Sequence, residues 1–213
     1  MELVERIKRR ILSALGHHTE EEFIENRFLM AIIEAFSRLE TDTFREEKIR
    51  DSIVRDLETK NSYTKPFLDV KFFFLSFEDL ENISDDERSR SDIAFKTTGF
   101  KFVLECKILK FASKKYLEEG LRRFIELKYA KSDDFAGMLG FIVAGEPERI
   151  IKNLKKKVKT FYPAHDIALY LEKTCAEHAL SFQSRHLRIN EAPIHIFHLF
   201  FDLSASRLSS SSV

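Results

Sequence analysis

One apolar run, Phe102-Val103-Leu104-Glu105-Cys106-Lys107-Ile108-Leu109, carries a glutamate and a lysine two residues apart. A run of this length, opened by Gly99 and closed before a lysine-rich stretch, reads as a buried strand. A second acid, Asp92, opens the preceding apolar run, Asp92-Ile93-Ala94-Phe95. Charges inside strands are costly unless something compensates them. Side chains alternate along a strand, so Glu105 and Lys107 share one face and Leu104, Cys106 and Ile108 the other. Thr97-Thr98-Gly99 is a turn signal between the two runs. A two-residue hairpin loop at Thr98-Gly99 pairs Thr97 with Phe100 and, counting back, sets Asp92 across from Glu105.

Directly opposed residues have Cβ atoms about 5 Å apart, where like charges repel. A hard divalent cation would reverse that penalty, because such ions are bound by carboxylate oxygens. The competing reading is a solvated hairpin face carrying ordinary surface charge. That reading expects polar residues along the whole face, whereas Val103 and Leu109 flank the charged pair.

The composition is that of an ordinary globular chain. It has 213 residues, 21 of them Phe, and 35 basic residues balance 35 acidic ones. Zero net charge gives no global attraction to nucleic acid, so any such contact must come from local patches. Two cysteines, Cys106 and Cys175, are too few for a disulfide framework or a zinc site. Cys106 is expected to be a buried thiol, which suits a reducing compartment. The N-terminus has no apolar signal core and no stretch approaches a membrane span. The expectation is a soluble, cytoplasmic protein with no membrane partner.

Along the chain, Val4, Ile7, Ile11 and Leu15 recur at helical spacing, and Gly16 fits a helix stop. Thr19 with Glu22 reads as a capping box opening a second helix to about Leu39. Thr43 with Glu46 repeats that signature for a third, with Ile49, Ile53 and Leu57 on one stripe. Residues 61–66 read as a loop, 67–77 as a Phe-rich buried strand, and 78–91 as a solvated excursion. After the two charged strands, 116–129 reads as a helix and 137–144 as a strand. Pro147 opens another helix with Ile150, Leu154 and Val158 apolar. Residues 164–179 read as helical, 181–189 and 193–202 as closing strands, and the Ser-rich end 204–213 as a disordered tail. His195 and His198, three apart on a strand, point to opposite faces and cannot share a metal ion.

The spacing of Asp92 and Glu105-Cys106-Lys107, and the order helix, three strands, helix, strand over roughly residues 44–145, resemble the PD-(D/E)xK nuclease superfamily. The resemblance covers about half the chain. It implies an α/β fold with a restriction-endonuclease-like core (αβββαβ, a mixed central sheet flanked by helices), with N-terminal helices and a C-terminal α/β extension. The units it suggests are an N-terminal helical segment over 1–42, a nuclease domain over 43–203 and the tail. It implies Mg²⁺ or Mn²⁺ held by Asp92, Glu105 and the Cys106 backbone carbonyl, with Lys107 and Glu46 completing the catalytic set. Glu46 is equally well explained as a capping-box residue. DNA is the implied partner, contacted by Lys110, Lys114, Lys115, Tyr116 and Arg123. Restriction and antiphage defence endonucleases share such a core, acting as homodimers or within larger complexes. Two alternatives stay open: a catalytically silent nucleic-acid-binding or assembly subunit, and an RNA-directed nuclease.

Overall fold

The computed structural model describes residues 2–41, 43–82, 88–161, 169–171 and 174–204. Within them the chain is a mixed α/β protein built on one seven-stranded sheet in the order β1-β2-β3-β4-β7-β6-β5. The strands are β1 (Phe73–Asn82), β2 (Arg88–Thr97), β3 (Phe100–Leu109), β4 (Phe135–Ile142), β5 (Leu169–Leu171), β6 (Ser181–Leu187) and β7 (Pro193–Asp202). β1, β2 and β3 are antiparallel neighbours; β3, β4 and β7 run parallel; β6 and β5 return antiparallel. The central strands read as continuous apolar runs because helices cover both faces.

One face packs against α1 (Glu2–Ala14), the helical run α2 (Glu20–Phe23) to α3 (Met30–Ser37), and α4 (Glu46–Thr59). Its core is rich in rings, with Phe28 stacked on Phe95 and Phe102 and edge-on to Phe73. The stripe Ile49, Ile53 and Leu57 is buried there. The other face packs against α6 (Arg122–Ile125) with the π-helical turn before it, Tyr116–Leu121, and against α7 (Pro147–Lys159). Ile150, Leu154 and Val158 of α7 are buried on this side.

Several local expectations are corrected. The helix beginning after Thr19 is capped as expected, with the Thr19 hydroxyl accepting from the Glu22 amide at 3.1 Å. It contains a six-residue π segment, Ile24–Leu29, between α2 and α3. No capping box forms at Thr43: Arg45 is the N-cap, without a side-chain bond, and Glu46 is spent elsewhere. The expected strand over 67–77 begins only at Phe73. Residues Lys65–Asp69 form a short helix, α5, because Pro66 suits a first helical turn. The charged stretch 78–91 is not an excursion: 78–82 and 88–91 extend β1 and β2, a ladder of main-chain bonds that charged residues can join. The helix expected to reach Tyr129 ends at Ile125, and left-handed backbone at Leu127 and Ala130 turns the chain into β4. Residues 169–171 are strand and Cys175 bridges His178, so the expected helix over 164–179 does not form in its described parts. The tail beyond Ser204 lies outside the described residues. Among the described residues no helix is long and apolar enough to cross a membrane.

Candidate active site

The β2–β3 hairpin has the expected register, from Thr97↔Phe100 to Ile93↔Leu104. Gly99 takes the left-handed backbone that the turn requires, at φ 99°. Asp92 therefore stands in line with Glu105, but the ladder stops one step before them. There β2 parts from β3 and leaves two β3 amides, those of Cys106 and Ile108, facing the opened edge. Two carboxylates satisfy them. Asp92 Oδ2 accepts from the Cys106 amide at 2.8 Å, and Glu46 Oε2 accepts from the Ile108 amide at 3.0 Å. An unpaired buried amide is expensive, so this sharing fixes both acids beside Lys107.

Three cations surround the acids. Arg50, one turn after Glu46 on α4, donates to Asp92 Oδ1 at 3.2 Å. Lys107 Nζ donates to Glu105 Oε1 at 2.7 Å and to the Cys106 carbonyl at 2.8 Å, and lies 3.5 Å from Glu46 Oε1. Arg123 donates to the same Glu105 oxygen at 3.1 Å and to the Tyr129 hydroxyl at 2.5 Å. Glu105 is 1% exposed, and its second oxygen, Oε2, is buried without a hydrogen-bond partner.

The electrostatics follow from burial. Desolvation, then the negative charge of Asp92, push the Glu105 carboxyl up to about 7, against the pull of Lys107 and Arg123. Burial works against the Lys107 ammonium, but Glu105, Glu46 and Asp92 together hold its pKa above the ordinary lysine value. The Cys106 thiol is fully buried on the opposite face and pushed well above the usual range, which leaves it a packing residue.

The remaining candidates divide. Lys110 is exposed just after β3, and Lys114 and Lys115 are exposed where the following helical turn begins. Arg123 reaches the acids. Tyr116 does not face a ligand: it is fully buried, and its hydroxyl bonds His198 Nδ1 at 2.9 Å. Its expected nucleic-acid contact is withdrawn, because the π-helical turn directs the ring onto Phe200 in the core. His198 continues through Ser184 to His186, at 2.7 Å and 2.8 Å, a chain of buried polar groups that mutually satisfy one another. Burial pushes His186 down to about 4 and His198 well below its ordinary value, so both stay neutral.

Arg50 is the residue that sequence reasoning passed over. Its signal was the four-residue step from Glu46, which places both on one helical face. Among the described residues no three His, Cys, Asp or Glu side chains gather into a metal-binding group. The cluster itself holds three carboxylates, those of Asp92, Glu105 and Glu46, with the Cys106 carbonyl beside them. Set against models of protein families, against curated proteins and against solved structures, the chain matches none.

Proposed function

We propose that the chain is a metal-dependent phosphodiesterase of the restriction-endonuclease-like kind, cutting DNA. The single observation that carries the reading is Glu105: a carboxylate sealed inside the sheet, in line with Asp92, with one oxygen left unbonded. Buried acceptors are mostly hydrogen-bonded, so an unmatched carboxylate oxygen inside a charged cluster offers a place for a ligand. The strand order and the parting of β2 from β3 at the acids support the same fold.

The donor set fits a hard divalent ion, Mg²⁺ or Mn²⁺, held by Asp92, Glu105 and the Cys106 carbonyl. When bound, such an ion polarises a phosphoryl oxygen and lowers the pKa of a coordinated water. Lys107 keeps its proton at Nζ through the neutral range, so it acts as a fixed positive charge and donor to an anionic phosphate oxygen. Glu46 steadies that ammonium. Arg50 and Arg123 hold the two acids in place, and both bring charge that a phosphodiester can share. Tyr129 fixes the Arg123 guanidinium.

The test is hydrolysis of plasmid and of single- and double-stranded oligonucleotides with Mg²⁺ or Mn²⁺. Asp92→Ala and Lys107→Ala should each lower the rate on the order of 10²- to 10³-fold. Equal rates in all three proteins would end the reading. Cleavage of RNA but not DNA would replace the substrate while keeping the site. One observation favours a second reading, a silent binding subunit: Arg50, Lys107 and Arg123 already balance the acids. Retention of DNA without cleavage of any substrate would select it.

A further inference from the structure

We propose that the segment Lys110–Lys115, a short loop running into the start of a helix, is a stacking platform for a single-stranded stretch of nucleic acid, with Phe111 as the ring on which a base lies. Phe111 is 66% exposed, although 21 Phe supply the chain's core and most of those described are packed inside it. It stands between Lys110 and the exposed pair Lys114 and Lys115. An aromatic ring set among lysines matches a polynucleotide, which offers a π-face and a phosphate at every step.

The loop is held, so the ring is presented at little entropic cost. The Leu109 carbonyl accepts from the Val143 amide at 2.9 Å. The Lys110 carbonyl lies against Gly145, where an added Cβ would come within 3.0 Å. Lys157 of α7 donates to the Ala112 carbonyl at 2.6 Å, and the Lys115 amide donates to Ser113 Oγ at 2.9 Å. Lys157 thus ties the loop to the lysine-rich end of α7, which carries Lys156 and Lys159 as well. Phe111 follows Lys107 by four residues, at most roughly 13 Å along an extended chain. That is about four nucleotides of stacked strand. In a duplex the bases are stacked inside and out of reach of a surface ring; in a single strand they are free to lie on it.

The proposal rests on the phosphodiesterase reading only for its placement beside the acids, and its test is independent of catalysis. Binding of a fluorescent 12-nucleotide DNA strand, and of its blunt duplex, is measured by anisotropy in EDTA at fixed salt. Phe111→Ala should weaken the single strand on the order of 10-fold and leave the duplex unchanged. Phe111→Trp should keep or tighten single-strand binding. Because the side chain is exposed, these variants retain the fold, checked by an unchanged Tm. Unchanged single-strand affinity in Phe111→Ala, equal loss on strand and duplex, or full affinity retained by Phe111→Leu would each overturn it. The last would mean that apolar bulk, not a π-face, makes the contact. Anisotropy in EDTA needs neither metal nor hydrolysis, so failure of the metal-site reading leaves this result standing.

Discussion

Glu105 concentrates the conflict between stability and chemistry in one side chain. Its carboxyl titrates near 7 in the folded chain, above the ordinary carboxylate value, because burial and Asp92 outweigh Lys107 and Arg123. A folded-state pKa raised in this way means that the native state holds the proton more tightly than the unfolded chain. The associated stability is complete below the ordinary glutamate range and is lost as pH rises toward and through about 7. Metal-free wild type should therefore melt lower at pH 8 than at pH 5.5 by more than Glu105→Gln does. The Gln variant should be the more stable at pH 8, on the order of 1–3 kcal/mol, a few degrees in Tm. It should at the same time be inactive. A Gln variant that melts below wild type at pH 8 would mean that the Lys107 and Arg123 contacts outweigh the burial of charge. Arg50→Ala removes the guanidinium from Asp92 and is expected to lower activity while leaving the Cys106 amide bond intact. Its readout is the rate together with an unchanged far-UV spectrum.

At the scale of elements, the decisive feature is where β2 leaves β3. Two side chains replace the missing ladder, so Asp92 has a structural task beside any chemical one. Asp92→Ala should cost about 1–3 kcal/mol in denaturant unfolding, the penalty of leaving the Cys106 amide unsatisfied. Asp92→Asn keeps a carbonyl oxygen for that amide and should retain near-wild-type stability while losing hydrolysis. If the two variants unfold alike, the cap has no energetic weight. Much of this hairpin was legible in advance. The turn at Thr98-Gly99, the pairing from it and the shared face of Glu105 and Lys107 all follow from alternation with period two. The stripe on α4 and that on α7 were legible for the same kind of reason. The π segments were not, because they arise where packing inserts a residue into an otherwise helical pattern. Nor was the use of Glu46, since a capping box and a cap on a distant strand ask for the same residue.

For the whole molecule, zero net charge makes any affinity for nucleic acid a property of one surface. On the proposed reading, the lysines just after β3 and those of the last turns of α7 supply it. Replacing Lys110, Lys114 and Lys115 together by Gln should reduce the slope of log affinity against log salt by about 2 for a single strand. An unchanged slope would place the phosphate contacts elsewhere.

What reads directly off the chain is local: strand alternation, turn chemistry, helical stripes, and the cost of charge within an apolar run. These depend on neighbours a few residues apart. The parting of the strands, the Arg50–Asp92 and Glu46–Ile108 bonds and the burial of Tyr116 against His198 join residues 42, 62 and 82 positions apart. No local pattern encodes such partners. They exist because packing helices on both faces of the sheet brings those side chains to the same opened edge and the same buried row.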